Sequence, residues 1–229
     1  TDILKFIGIR EDKVHVVYLA ADEKFKQLNN ETIEQSVRGN YNLPEKFALY
    51  VGDVTWNKNL PRLVEAVKKI NIPLVLVGKT LIDKDFDRNN PWNQDLDEVQ
   101  KMVEDNKLFS RLGFVPDDDL VALYNIATVF VMPSIYEGFG LPILEAMKCG
   151  CPVVASSEGS LKEVGGDAIY KVNPYDVLDI ANGIGEVYFN SDLAKKLSEK
   201  GLKQAKNFSW EKTAAGTISV YQKILKDQS

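Results

Sequence analysis

The chain has 229 residues, 45% of them hydrophobic and 27% charged, which is long and apolar enough to bury a sizeable core. A formal net charge of −5 excludes a non-specific binder of nucleic-acid backbone, which needs a surplus of Lys and Arg. Cys149 and Cys151 stand one residue apart, a spacing that excludes a redox pair or a zinc site and suits a reducing compartment.

In chain order, residues 14–19 read as a first strand, followed by "ADEKF" and a mixed polar helix. Because this strand has no β-α-β partners of its own, residues 1–45 are expected to be an interdomain linker with a lead-in strand and helix. A second domain is expected over 46–229. Its strands are predicted at 47–51, 73–77, 108–112, 128–132, 153–155 and 168–172. Helices are predicted at 60–70, 95–106, 118–126, 142–148 and 175–189. Strands apolar on both faces, alternating with helices, predict a Rossmann-like, doubly wound parallel sheet covered on each side: an α/β fold. Pro61 and Pro142 suit first-turn positions, and Asp117 after Pro116 is expected to cap the helix that follows. Residues 83–91 read as a solvated loop. From 192 onward the chain reads as polar-faced C-terminal helices, broken near Gly201 and again at 208–210.

In such a sheet, ligands bind beyond the carboxyl ends of the strands, where glycine turns lead into helices. Three turns of this kind occur, at Gly52, at Gly78 and at Gly138–Phe139–Gly140. The helix opening near Pro142 directs its unpaired N–H groups at whatever sits over Phe139 and Leu141, and the expected guest is a phosphate. Glu137 and Glu145 bracket this turn with seven residues between them. Glu145, one helical turn inside, is placed to accept two hydrogen bonds from the vicinal hydroxyls of a ribose. Glu137 would meet the group beyond the diphosphate, and Lys58, six residues after Gly52, would bring an ammonium to the same anion. His15, the only histidine, reads as structural, Cys149 and Cys151 as packing residues, and no metal-ligand cluster is present.

The segment "YEGFGLPILEAMKCGCPVVAS" resembles the E-x7-E signature of retaining GT-B glycosyltransferases of family four. "ALYVGDVTWNKNLPRLVEAV", "LGFVPDDDLVALYNIATVFVMPS", "SLKEVGGDAIYKVNP" and "FSWEKTAAGTISVYQKIL" resemble further segments of that family's C-terminal domain, so the likeness covers residues 46–225. The resemblance implies that Glu145 binds the nucleotide ribose and Glu137 the hydroxyls of the donor sugar. It implies backbone N–H contacts to the diphosphate and sugar from Phe139, Gly140 and Leu141, with Gly138 in the same donor-binding turn and a phosphate floor at Gly52. Lys58 would stabilise the departing diphosphate, and Phe114 and Val115, after Gly113, would lie beside the base. No metal or other cofactor is implied; the donor is a nucleotide-diphospho-sugar. The Lys58–Asn59 pair is similar to a mannosyltransferase branch, favouring GDP-mannose, with a UDP-sugar next. The partners implied are an acceptor glycan or lipid-linked glycan and the enzyme's own N-terminal acceptor domain, absent from this chain. Cytosolic donors imply a cytoplasmic location or the inner face of a membrane. Two positions depart from the family: where it usually places an arginine beside its lysine, this chain has Asp53 and Asn57. A non-catalytic nucleotide-sugar-binding module and an epimerase-like GT-B protein are the alternative readings.

Overall fold

The computed structural model describes residues 2–227 and divides them into two compact units, 21–207 and 2–20 with 208–227. In the smaller unit, α1 (Asp2–Ile7) opens the chain and α10 (Trp210–Asp227) closes it. Residues 14–19, expected as a strand, form none, because their partner is a helix. The Thr213 hydroxyl of α10 donates to the Tyr18 carbonyl at 2.6 Å, Tyr18 meets Phe208 edge-on, and Val17 packs against Gly216. His15 is exposed on this segment.

The larger unit opens with α2 (Glu31–Asn40), which Asn30 caps through the Thr32 and Ile33 N–H groups. It continues as β1 (Ala48–Val51), α3 (Leu60–Ile70), β2 (Leu74–Val77), α4 (Gln94–Val103), β3 (Phe109–Gly113), α5 (Asp117–Ile126) and β4 (Val129–Met132). Then come α6 (Leu141–Lys148), β5 (Val153–Ser156), α7 (Gly159–Gly165), β6 (Ile169–Val172), α8 (Val177–Phe189) and α9 (Ser191–Ala205). All six strands are parallel, in the order β3-β2-β1-β4-β5-β6. Strand order reverses between β1 and β4, the switch point at whose carboxyl end ligands bind in such sheets.

Side-chain alternation assigns the two faces. Ala48, Tyr50, Leu74, Leu76, Val129 and Val131 share a buried cluster with α3, α4 and α8, whereas Phe130 points the other way and meets Tyr124 of α5 edge-on. β2, β4 and β5 are buried along their whole length, as strands covered on both faces must be.

Three expectations need correction besides the first strand. α9 runs unbroken through Gly201. A Cβ there would lie 3.1 Å from Met147 Cγ, so the glycine serves close packing of α9 on α6 rather than a break. Asp117 does not cap α5; it is the first helical residue, and its carboxylate pairs with Lys24 Nζ at 2.6 Å. Third, α7 is a helix no periodicity indicated, a seven-residue turn beginning and ending in glycine.

Candidate functional site

The carboxyl ends of β1 and β2 approach so closely that the Gly52 N–H donates to the Val77 carbonyl at 2.8 Å. A Cβ on Gly78 would collide with the Gly52 carbonyl oxygen, so only glycine closes the two strand ends together. Gly113 ends β3 beside them, its carbonyl accepting from the Gly78 N–H at 3.0 Å. Beyond this floor Phe114 is exposed with Lys79 Nζ 5.2 Å from its ring centre, while the Val115 side chain is buried.

Lys58 and Glu137, 79 residues apart in sequence, meet across the switch point. Lys58 Nζ lies 2.7 Å from Glu137 Oε1, with the side chains 23% and 10% exposed. Neighbouring loops hold each partner. The Ser160 hydroxyl of α7 donates to the Glu137 carbonyl at 2.8 Å. The Ile135 N–H donates to the Asn57 carbonyl at 2.8 Å, and the Asn57 side-chain amide to the Tyr136 carbonyl at 3.0 Å. Asn59, 2% exposed and left-handed at φ 62°, donates from its amide to the Pro133 carbonyl at 2.9 Å and the Pro174 carbonyl at 2.7 Å. Its own Oδ1 accepts from Arg62 at 2.8 Å.

The two residues standing where an arginine was expected both have structural partners. Asn57 ties the Lys58 loop to the Glu137 loop, and Asp53 Oδ1 accepts from the Thr80 N–H at 3.3 Å, tying β1 to the turn after β2. Ser134, two residues after β4, is 1% exposed, and its hydroxyl is a buried side-chain polar atom with no partner among the described residues.

The glycine turn places Gly138 in open space and Gly140 in a buried left-handed conformation at φ 99°, where a Cβ would meet Leu161 Cδ2 at 2.5 Å. Phe139 and Leu141 are half-buried, and α6 begins at Leu141 with Pro142 in its first turn. Glu145, one turn inside α6, accepts from the Tyr124 hydroxyl at 3.0 Å. Burial raises its carboxyl above the usual range, while Tyr124 and the Lys24 ammonium act in the opposite direction. Sequence reasoning missed both neighbours. Tyr124 read as one more apolar residue of α5, and Lys24 lies in a segment read as linker; nothing local signals either. Cys149 and Cys151 are buried free thiols, and burial pushes Cys149 up to about 12, as packing residues require.

A carboxyl raised in the folded state binds its proton more tightly there than in the unfolded chain. Its ionised form therefore costs stability at neutral pH, and the cost disappears as pH falls below the unfolded value of 4.5. Glu145→Gln keeps an acceptor for Tyr124 without the charge. The variant is expected to melt above wild type at pH 7. At pH 4 the two should melt together. A melting difference that is the same at both pH values would refute this account.

Among the described residues, no group of three or more His, Cys, Asp or Glu side chains could hold a metal ion, and no helix is long and apolar enough to cross a membrane. A family model described as "Glycosyl transferases group 1" matches residues 31–204. The chain is 39% identical over 185 residues to the O-antigen chain mannosyltransferase B of Escherichia coli, covering 77% of this chain and 45% of that protein. A glycosyltransferase from Rickettsia africae superposes with a TM-score of 0.80 at 25% identity, over 98% of this chain and 60% of that one. Anabaena Alr3699/HepE, solved in complex with UDP-glucose, shares the fold with a TM-score of 0.79 at 18% identity, over 94% of this chain and 59% of its own. The chain thus spans less than half of the length of the first of these relatives. Three quarters of its residues fall within the family match, and the chain belongs to the glycosyl transferases of group 1, a family of GT-B fold.

Proposed function

We propose that this chain is the donor-binding half of a retaining glycosyltransferase that moves a hexosyl group from a nucleotide-diphospho-sugar to a glycan or lipid-linked glycan. Residues 1–45 then serve as the interdomain linker and 46–229 as the donor domain, with the acceptor domain outside the chain. The Lys58–Glu137 pair at the switch point carries the reading. Breaking a sugar–diphosphate bond drives negative charge onto the phosphate and positive charge onto the sugar ring. An ammonium on one side and a carboxylate on the other, fixed beforehand and shielded from water, have the matching polarity. The first turn of α6 adds donors for the phosphates, and Glu145 receives the ribose. The E. coli relative is named a mannosyltransferase, and with the Lys58–Asn59 pair this supports a mannosyl donor, GDP-mannose before a UDP-sugar. The work of the protein would lie in the cytoplasm or at the inner face of its membrane. The structural use of Asp53 and Asn57 favours one second reading, a module that binds nucleotide sugar without transferring it.

Thermal-shift titration with GDP, UDP and ADP tests the site. One nucleotide at about 100 times its Kd should stabilise the chain by about 2.7 kcal/mol, roughly 5–10 °C in Tm. Glu145→Ala should abolish most of that shift. An undiminished shift in the variant would remove Glu145 from the site, and no shift with any nucleotide would count against a donor site in this chain.

A further inference from the structure

Three large aromatic side chains stand half-exposed on loops at the carboxyl end of the sheet: Trp56 at 52%, Tyr136 at 53% and Tyr175 at 57%. They sit on the connections after β1, β4 and β6, and hydrogen bonds sew those connections together. Asn57 joins the first to the second through the Ile135 N–H and the Tyr136 carbonyl, and Asn59 joins the first to both others through the Pro133 and Pro174 carbonyls. Trp56 lies two residues before Lys58, Tyr136 immediately before Glu137, and Tyr175 immediately after Pro174. All three therefore stand on the loops that carry or brace the Lys58–Glu137 pair.

The surroundings say what such rings would hold. Thr55 and Asn57 flank Trp56 in sequence, and Asn173 and Asp176 lie close to Tyr175, so hydrogen-bonding groups accompany the rings on their loops. Isolated aromatic faces set among hydrogen-bonding groups suit a pyranose, whose C–H face stacks on a ring while its hydroxyls find donors and acceptors.

We propose that Trp56, Tyr136 and Tyr175 form a saccharide-stacking rim that holds the acceptor glycan against the donor domain, beside the Lys58–Glu137 pair. The assignment of this saccharide as acceptor rests on the donor-site reading above. It makes acceptor recognition a shared task, with part of the glycan site on this half of the enzyme.

Saturation-transfer NMR on this chain with mannotetraose as probe tests it, with nucleotide thermal shift measured on the same samples. Wild type should transfer saturation to the sugar ring protons. In the Trp56→Ala, Tyr136→Ala double variant the sugar should bind about tenfold more weakly, the loss of roughly 1.4 kcal/mol of ring contact, with the nucleotide shift unchanged. No transfer in wild type, or equal transfer in the variant, overturns the rim. Loss of the nucleotide shift in the variant also overturns it, because the rings would then be supporting the donor pocket. If sugar transfer depends on the rings but no nucleotide shifts wild type, the rim stands and the donor-site reading fails.

Discussion

On the proposed donor-site reading, replacing Lys58 with Ala is expected to lower turnover of the full-length enzyme by about 10²–10³-fold, the loss of about 2.7–4 kcal/mol that follows removal of one preorganised charge-stabilising group. Two observations put the effect at the large end for a single side chain. Neither Asp53 nor Asn57 supplies a second cation, and both are committed to holding loops. The Lys58–Glu137 pair is also mostly shielded, so its field is less screened than that of a surface ion pair. Because charge on the diphosphate grows as the sugar departs, turnover should fall more than donor affinity. Lys58→Arg keeps the charge but replaces a point charge with a planar fork, and should recover only part of the rate. The discriminating measurement is the split between kcat and donor KM. A rise in KM with kcat untouched would mean that Lys58 binds ground state and transition state equally, and the charge-stabilising role would be lost.

Much of the sheet was legible because its strands are buried on both faces. Uninterrupted apolar runs such as Leu74–Val77 and Val129–Met132 have few other uses, and α3 carries both an apolar stripe and a first-turn proline. Residues 14–19 failed by the same logic. Their β-branched residues look like a strand, but a strand needs a neighbour, and this segment lies along α10 instead. α7 was invisible because its seven residues, glycine at both ends, have little helical preference of their own. The glycine turn and the two glutamates of the candidate site stand out in the sequence as a local pattern. The Lys58–Glu137 pairing was suggested only by shared proximity to one expected anion, since 79 residues separate the partners. Asp53 and Asn57 read as losses in sequence because side-chain ties between loops leave no periodic trace.

Asn59→Ala is expected to destabilise the domain by about 2–4 kcal/mol, lowering Tm by roughly 5–15 °C. The residue precedes α3, where an asparagine ordinarily caps the first helical N–H groups, yet its side chain makes no capping bond. The amide is turned instead onto two carbonyls, one after β4 and one after β6, and its removal strands both acceptors in a buried setting. Alanine must also hold φ at 62°, which glycine does without strain. Asn59→Gly should therefore lose less than Asn59→Ala, the difference measuring backbone strain and the remainder the two hydrogen bonds. Asn59→Asp should fare no better than Ala, because it sets a carboxylate oxygen against two carbonyl oxygens. The ordering wild type, Gly, Ala by calorimetry is the check, and equal melting of Gly and wild type would show that the amide ties nothing. Because Asn59 follows Lys58 directly, each variant should also blunt the nucleotide shift in proportion to its loss of stability. One buried amide thus ties together the connections after three strands at once.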